Sequence, residues 1–154
     1  MAEGYTYILR NGGVVCATAS TLLQVKAGAS ALEILRFSIA QKASTTSTIE
    51  RIGLVRKSVA ATVSSTTMLK GNPGDPAALA VGGTSATGIT ASAEGTDTDV
   101  LCDKLFNIVN GTYEWLPTPE ERPRIPQAGM IGLKFLTAPA SQTWYAELVV
   151  REFQ

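Results

Sequence analysis

The sequence predicts an all-β, antiparallel sandwich or barrel in one domain, and three observations carry that expectation. Apolar residues recur at every second position or in short runs, and long 3.6-residue periodicity is lacking. About eight such segments follow one another at spacings near ten residues, with turn residues between them. Thr is abundant, 18 of 154 residues, and suits a pleated surface. A chain of this length fits one domain and buries about two-thirds of its unfolded surface without a metal or disulfide staple.

The elements follow in order. Residues 5–9 read as a strand or an extended arm, within a terminal unit spanning 1–12, and the body runs from 13 to 154. Asn11-Gly12-Gly13 is a turn signal. Residues 14–18 and 21–26 are strands. Residues 31–41 form a long strand whose phase slips at Leu35-Arg36, which predicts a bulge; a helix competes there, but β-branched and aromatic content favours the strand. Residues 43–48 are a polar loop. Residues 49–57 are a strand with Ile52 and Leu54 alternating against Arg51, Gly53 and Val55, and 59–68 extend the β pattern.

Residues 70–98 differ. Gly71-Asn72-Pro73-Gly74-Asp75-Pro76 is dense in turn residues, and Ala77 to Ala80 fit one helical turn with Asp75 as its N-cap. The stretch is small and polar, so it reads as a partly ordered excursion that needs a partner, with a weak strand at 88–93. Strands resume at 100–102 and 105–109. Asn110-Gly111 predicts a tight hairpin returning through 112–116. Three prolines end that strand, because proline cannot donate to a central ladder. Gln127-Ala128-Gly129 is a turn. Residues 130–136 place Ile131, Leu133 and Phe135 on one face, and 143–153 place Trp144, Ala146, Leu148 and Val150 inward, with Tyr145, Glu147 and Arg151 outward.

Composition removes several functions. The chain has no His, which excludes His-based acid–base catalysis and His-ligated metals. Thirteen basic and thirteen acidic residues leave no net field to steer nucleic acid. Neither a signal peptide nor a membrane-length apolar run is visible, so the expectation is a soluble protein made in the cytosol. Cys16 and Cys102 read as buried thiols in preference to a disulfide. No catalytic residue, cofactor or metal is expected, and an enzyme stands last among the readings.

Four motifs need weighing. Asp97-Thr98-Asp99 with Asp103 is a carboxylate cluster, but it lacks the glycine and distal Glu of a calcium loop and reads as loop solvation and turn capping. Arg51, Arg56 and Lys57 fall on one strand, yet without interleaved exposed aromatics they do not make a nucleic-acid surface. Asn110-Gly111-Thr112 matches a glycosylation sequon by chance. Residues 117–126 concentrate Glu120, Glu121, Arg122 and Arg124 beside Trp115. They read either as a protein-contact patch or as a proline-stiffened connection with Trp115 packed in the core.

The run from Thr46 to Val59, with Ile52-Gly53-Leu54-Val55-Arg56-Lys57, then Asn72-Pro73-Gly74-Asp75-Pro76, resembles small structural proteins of tailed bacteriophages. So do Glu94-Gly95-Thr96-Asp97 and the stretch from Tyr113-Glu114-Trp115-Leu116 to Arg122, while Ile125-Pro126-Gln127-Ala128-Gly129-Met130 looks like the approach to the penultimate strand of viral jelly rolls. The resemblance, to head decoration (cement) proteins, implies a jelly-roll-like sandwich without an active site. It implies synthesis in the host cytoplasm and residence on the outer surface of the phage head. The partners it implies are the major capsid protein and further copies of the chain, as dimer or trimer, with neither nucleic acid nor membrane. Residues 1–12 and 70–98 would then be the arms that order on neighbours, with Tyr5, Tyr7, Trp115, Glu120, Glu121, Arg122 and Arg124 as the candidate interface. A tail, fibre or collar component competes within viruses. A carbohydrate-binding module competes from another class, with Trp115, Trp144 and Tyr145 as its only aromatic candidates.

Overall fold

Period-two stretches along the chain pair into two antiparallel sheets that face each other. A computed structural model describes residues 4–42, 47–107 and 111–154. In chain order its strands are β1 (Gly4–Arg10), β2 (Val14–Cys16), β3 (Thr21–Lys26), β4 (Leu32–Gln41), β5 (Ile49–Val59), β6 (Thr62–Ser65) and β7 (Leu69–Lys70). They continue as β8 (Gly88–Ala93), β9 (Thr96–Asn107), β10 (Tyr113–Trp115), β11 (Arg124–Ile125), β12 (Met130–Phe135) and β13 (Gln142–Phe153). One sheet runs β10-β4-β13-β1-β7, with β11 also on β4 and β2 also on β13; the other runs β6-β8-β3-β12-β5-β9.

Eight of these strands form the frame: β1, β3, β4, β5, β9, β10, β12 and β13. Numbered one to eight along the chain, they lie in the orders 1-8-3-6 and 2-7-4-5. That is the jelly-roll winding, two Greek keys wrapped into a double sheet. The chain is therefore an all-β sandwich of jelly-roll type, as expected.

The core lies between the sheets. Ile34, Phe37 and Ile39 of β4 and Trp144, Leu148 and Val150 of β13 face Leu23, Val25, Leu54, Leu133 and Phe135, and all of these are fully buried. Trp144 meets Phe135 edge-on at 4.9 Å and Phe106 at 6.2 Å, and its indole N–H donates to the Ala140 carbonyl at 3.2 Å. The expected slip in the long strand is present. Val149 pairs with Arg36 but Val150 pairs with Ile34, so Leu35 is the extra residue of a bulge. Cys16 and Cys102 are free, buried and on different sheets, and burial pushes the Cys102 thiol up to about 11.

Four expectations need correction. The terminal segment is a strand rather than an arm: residues 4–10 pair with 147–153 along their whole length, and β7 covers part of the other edge. Residues 77–80 are not helical. Leu79 N–H donates to the Glu152 carboxylate at 2.8 Å and Val81 N–H to the Lys26 carbonyl at 2.9 Å, bonds to distant strands that hold the segment extended. The segments flanking Asn110-Gly111 are not a hairpin, because β9 lies in one sheet on β5 and β10 in the other on β4. Asn110 itself, and residues 43–46 of the expected polar loop, lie outside the described residues. Finally, Asp97, Asp99 and Asp103 belong to a strand and not to a loop. Across the β5–β9 ladder, Asp103 accepts from Arg51 Nε at 2.8 Å, Asp99 faces Arg56 at 3.7 Å and Asp97 accepts from Lys57 at 2.6 Å. The basic residues of β5 are thus each matched by a carboxylate.

The stretch from 60 to 95 is a strap bound to its own sandwich. It extends one sheet with β6 and β8 and the other with β7. Gln24, fully buried on β3, anchors it: its Nε2 donates to the carbonyls of Ala86 (2.6 Å) and Ala61 (3.3 Å), and its Oε1 accepts from Ala61 N–H at 2.9 Å. At the far end, Glu94 accepts from Thr21 N–H at 2.6 Å and the Thr21 hydroxyl at 2.7 Å. Beside it the fully buried Lys57 ammonium and Lys134 both reach Glu94 and Asp97, with Lys134 donating to Asp97 at 2.7 Å. Partner-rich burial of this kind is what a buried ammonium requires.

This cluster sets the pH dependence of stability. Burial would raise the Glu94 carboxyl, but hydrogen bonds from Thr21 and the charges of Lys57 and Lys134 outweigh it and hold it below 4.5. Burial likewise opposes, and hydrogen bonds from Lys134 and Lys57 overcome, to hold Asp97 below 3.8. Lys134, disfavoured by burial but bonded to Asp97, is held above 10.5. A carboxylate held low contributes stability above its unfolded value and loses it as pH falls through the folded one. A lysine held high contributes below its unfolded value and loses it as pH rises through the folded one. The buried Cys102 thiol ionises at lower pH in the unfolded chain and adds to the alkaline loss, so urea midpoints will be flat between about pH 5 and 8 and fall on both sides. Asp97→Asn will make the acid limb shallower; a limb of unchanged slope would contradict this assignment.

Candidate partner interface

Strand β4 carries Glu33 between two hydrophobic residues, and cross-strand register brings arginines to it from both sides. Arg151 on β13 and Arg124 on β11 are its direct partners in the two ladders. Arg122, just before β11, adds a third. The guanidinium nitrogens lie 3.8 Å (Arg122), 3.5 Å (Arg124) and 3.6 Å (Arg151) from the carboxylate oxygens. Glu33 is buried, whereas the Arg124 side chain is 74% exposed and stands 5.9 Å over the Phe153 ring. Three guanidiniums thus gather on one buried carboxylate, and with Glu120 and Glu121 exposed on the adjoining turn the outward face is strongly charged and of mixed sign.

The segment that delivers these arginines is stiff. A single 3-10 turn at Pro119–Glu121 follows the prolines, and the Glu121 carboxylate accepts from the Thr118 hydroxyl at 3.2 Å. Glu120 and Glu121 are exposed on it. Trp115 pairs with Phe37 and stacks on its ring at 5.4 Å, half-buried at the sheet edge. Residues 117–126 therefore combine both sequence readings: a proline-stiffened connection anchored by Trp115, and a charged outer surface.

Of the expected interface residues, Arg122 and Arg124 come together, Glu120 and Glu121 stand on the adjoining turn, and Trp115 anchors it. Tyr5 packs against the core at the opposite side of β13. Tyr7 is a correction: it is fully buried, and its hydroxyl donates to the Pro76 carbonyl at 3.1 Å, so it is a core residue that holds the strap. Glu33 and Arg151 were missed. The signal for them was an acid and a base at outward positions of two long strands, but only the pairing of those strands connects them.

Of the three aromatic candidates for sugar binding, Trp144 is core and Trp115 is committed to Phe37, while Tyr145 is exposed on the outer face of the first sheet. Among the described residues, no three Cys, Asp or Glu side chains converge as metal ligands would. The chain matches no family model, no curated protein and no solved structure.

Proposed function

We propose that this chain is a structural protein of a virus particle, a decoration (cement) protein that binds the outer surface of a phage head and stabilises it. The observation that carries the reading is the strand order. Jelly-roll double sheets recur in viral capsid domains, and this one has its long loops bonded back onto its own edges, which suits a rigid cladding unit. A fold alone does not assign a function, so the reading also needs a docking surface. The arginines on Glu33 supply one, and because Glu33 can satisfy only part of three guanidiniums, their remaining donors suit acidic side chains of the major capsid protein. Copies assembled as dimers or trimers around the shell's symmetry axes would hold by avidity, so each contact need be only modest.

Because residues 4–12 and 71–87 are engaged by the sandwich itself, the clamp works through its folded surface and not through unfurled arms. Density-gradient fractionation of particles from cells producing the chain tests this. The expected result is comigration with intact heads, with Arg122→Glu/Arg124→Glu shifting the chain to the top fractions while the heads stay whole. Absence of the unaltered chain from head fractions would overturn the reading.

A further inference from the structure

The outer face of the first sheet carries a depression of about 430 Å³ well away from the arginines, at the other end of β4. Its position follows from register. Glu147 lies opposite Arg10 on one side and Ser38 on the other, and Tyr145 lies opposite Ala40. Alternation sends all of them away from the core, since Trp144, Ala146 and Leu148 point inward. The small side chains Ser38 and Ala40 form a floor. Tyr145, Glu147 and Arg10 rise on one side and Thr112 on the other.

The walls are held in place. A Cβ on Gly13 would sit 2.7 Å from the Tyr145 ring, so the ring lies against bare backbone, and Gly13 adopts φ +95, which an L side chain disfavours. The turn beneath is fixed by buried Asn11, whose Oδ1 accepts from Gly13 and Ala146 N–H at 3.0 Å each and whose Nδ2 donates to the Trp144 carbonyl at 3.1 Å. Arg36 donates to Glu147 at 2.6 Å. Tyr145 nevertheless remains 43% exposed.

We propose that this trough binds a neutral hexopyranose, as the terminal sugar of an oligosaccharide. The aromatic face takes the apolar C–H face of the ring. The Glu147 carboxylate accepts from sugar hydroxyls, the Arg10 guanidinium donates to them, the Ser38 hydroxyl meets them from the floor and the Thr112 hydroxyl completes the rim. A mostly apolar lining with a few polar groups, at a volume within the roughly 300–1,000 Å³ of small-molecule sites, is the general pattern of such pockets. Tyr combines apolar contact with a polar tip, which suits a ligand that is apolar on one face and hydroxylated at its edge. The inference stands apart from the virion reading, since none of its residues belongs to the arginine surface.

The test is titration of the full chain with methyl glycosides of glucose, galactose and mannose, followed by nuclear magnetic resonance. One of them should bind with a Kd of about 1 mM, the range open to a single sugar ring. Tyr145→Ala should weaken binding by about tenfold or more, and Gly13→Ala, which displaces the ring, should weaken it too. Trp115→Ala should leave it unchanged. Thermal unfolding verifies that Tyr145→Ala remains folded. Lack of binding by all three glycosides, or binding that survives Tyr145→Ala, would overturn the proposal.

Discussion

Trp144→Ala will cost about 3–5 kcal/mol of folding stability, the range for deleting a buried aromatic side chain. The indole is fully buried near the start of β13 and reaches across to the opposite sheet through Phe106 of β9 and Phe135 of β12. Its removal leaves a cavity between two sheets whose ladders cannot collapse to fill it, and it strands the Ala140 carbonyl. At roughly 2–4 °C per kcal/mol for a domain of this size, Tm should fall by about 10 °C. Trp115→Ala is the matched control. That ring covers one face of Phe37 at the sheet edge and is half-buried, so its loss should cost clearly less. Equal losses from the two variants, measured by calorimetry, would show that Trp144 does not lie between the sheets.

Gly28→Ala will destabilise by about 2–4 kcal/mol although it adds a single methyl group. Its Cβ would stand 1.9 Å from the Leu79 carbonyl oxygen, a backbone atom of the strap. The strap must therefore lift. With it go the Leu79 bond to fully buried Glu152 and the Val81 bond to Lys26. Gly74→Ala, in open space on the same strap, should change stability by less than about 0.5 kcal/mol. Hydrogen exchange supplies a second readout: the amides of Leu79 and Val81 should lose protection in Gly28→Ala and keep it in Gly74→Ala. A neutral Gly28→Ala would mean the strap is not docked.

Much of the frame was legible because it rests on local alternation. The slip at Leu35-Arg36, the inward face of Trp144, Ala146, Leu148 and Val150, and the limits of β3 and β8 all follow from which neighbours are apolar. What failed was non-local. Asn110-Gly111 is a sound turn signal, but a turn does not say which sheet the next strand joins, and here the chain changes sheets. Thr96 to Asp99 looked like a loop because its alternation is Thr against Asp; on an edge strand opposite Arg56 and Lys57, that pattern is a charge ladder. The stretch from 70 to 98 looked unable to bury much. It is held by hydrogen bonds and by the close approach its small residues allow, and not by bulk. The interface was half legible: Arg122 and Arg124 stand out in sequence, whereas Glu33 becomes their organiser only through register. The Tyr145 trough is similar. The outward tyrosine was evident, but its floor of Ser38 and Ala40 comes from a strand a hundred residues away.

The proposed cladding of a phage head is decided by a cryo-electron microscopy reconstruction of the particles that carry the chain. The expected density is this sandwich repeating on the outer face of an icosahedral shell, with Arg122, Arg124 and Arg151 turned toward acidic side chains of the subunit below. Density for the chain confined to a tail, fibre or collar, or seated on the shell by a face that leaves the arginines in solvent, would contradict it.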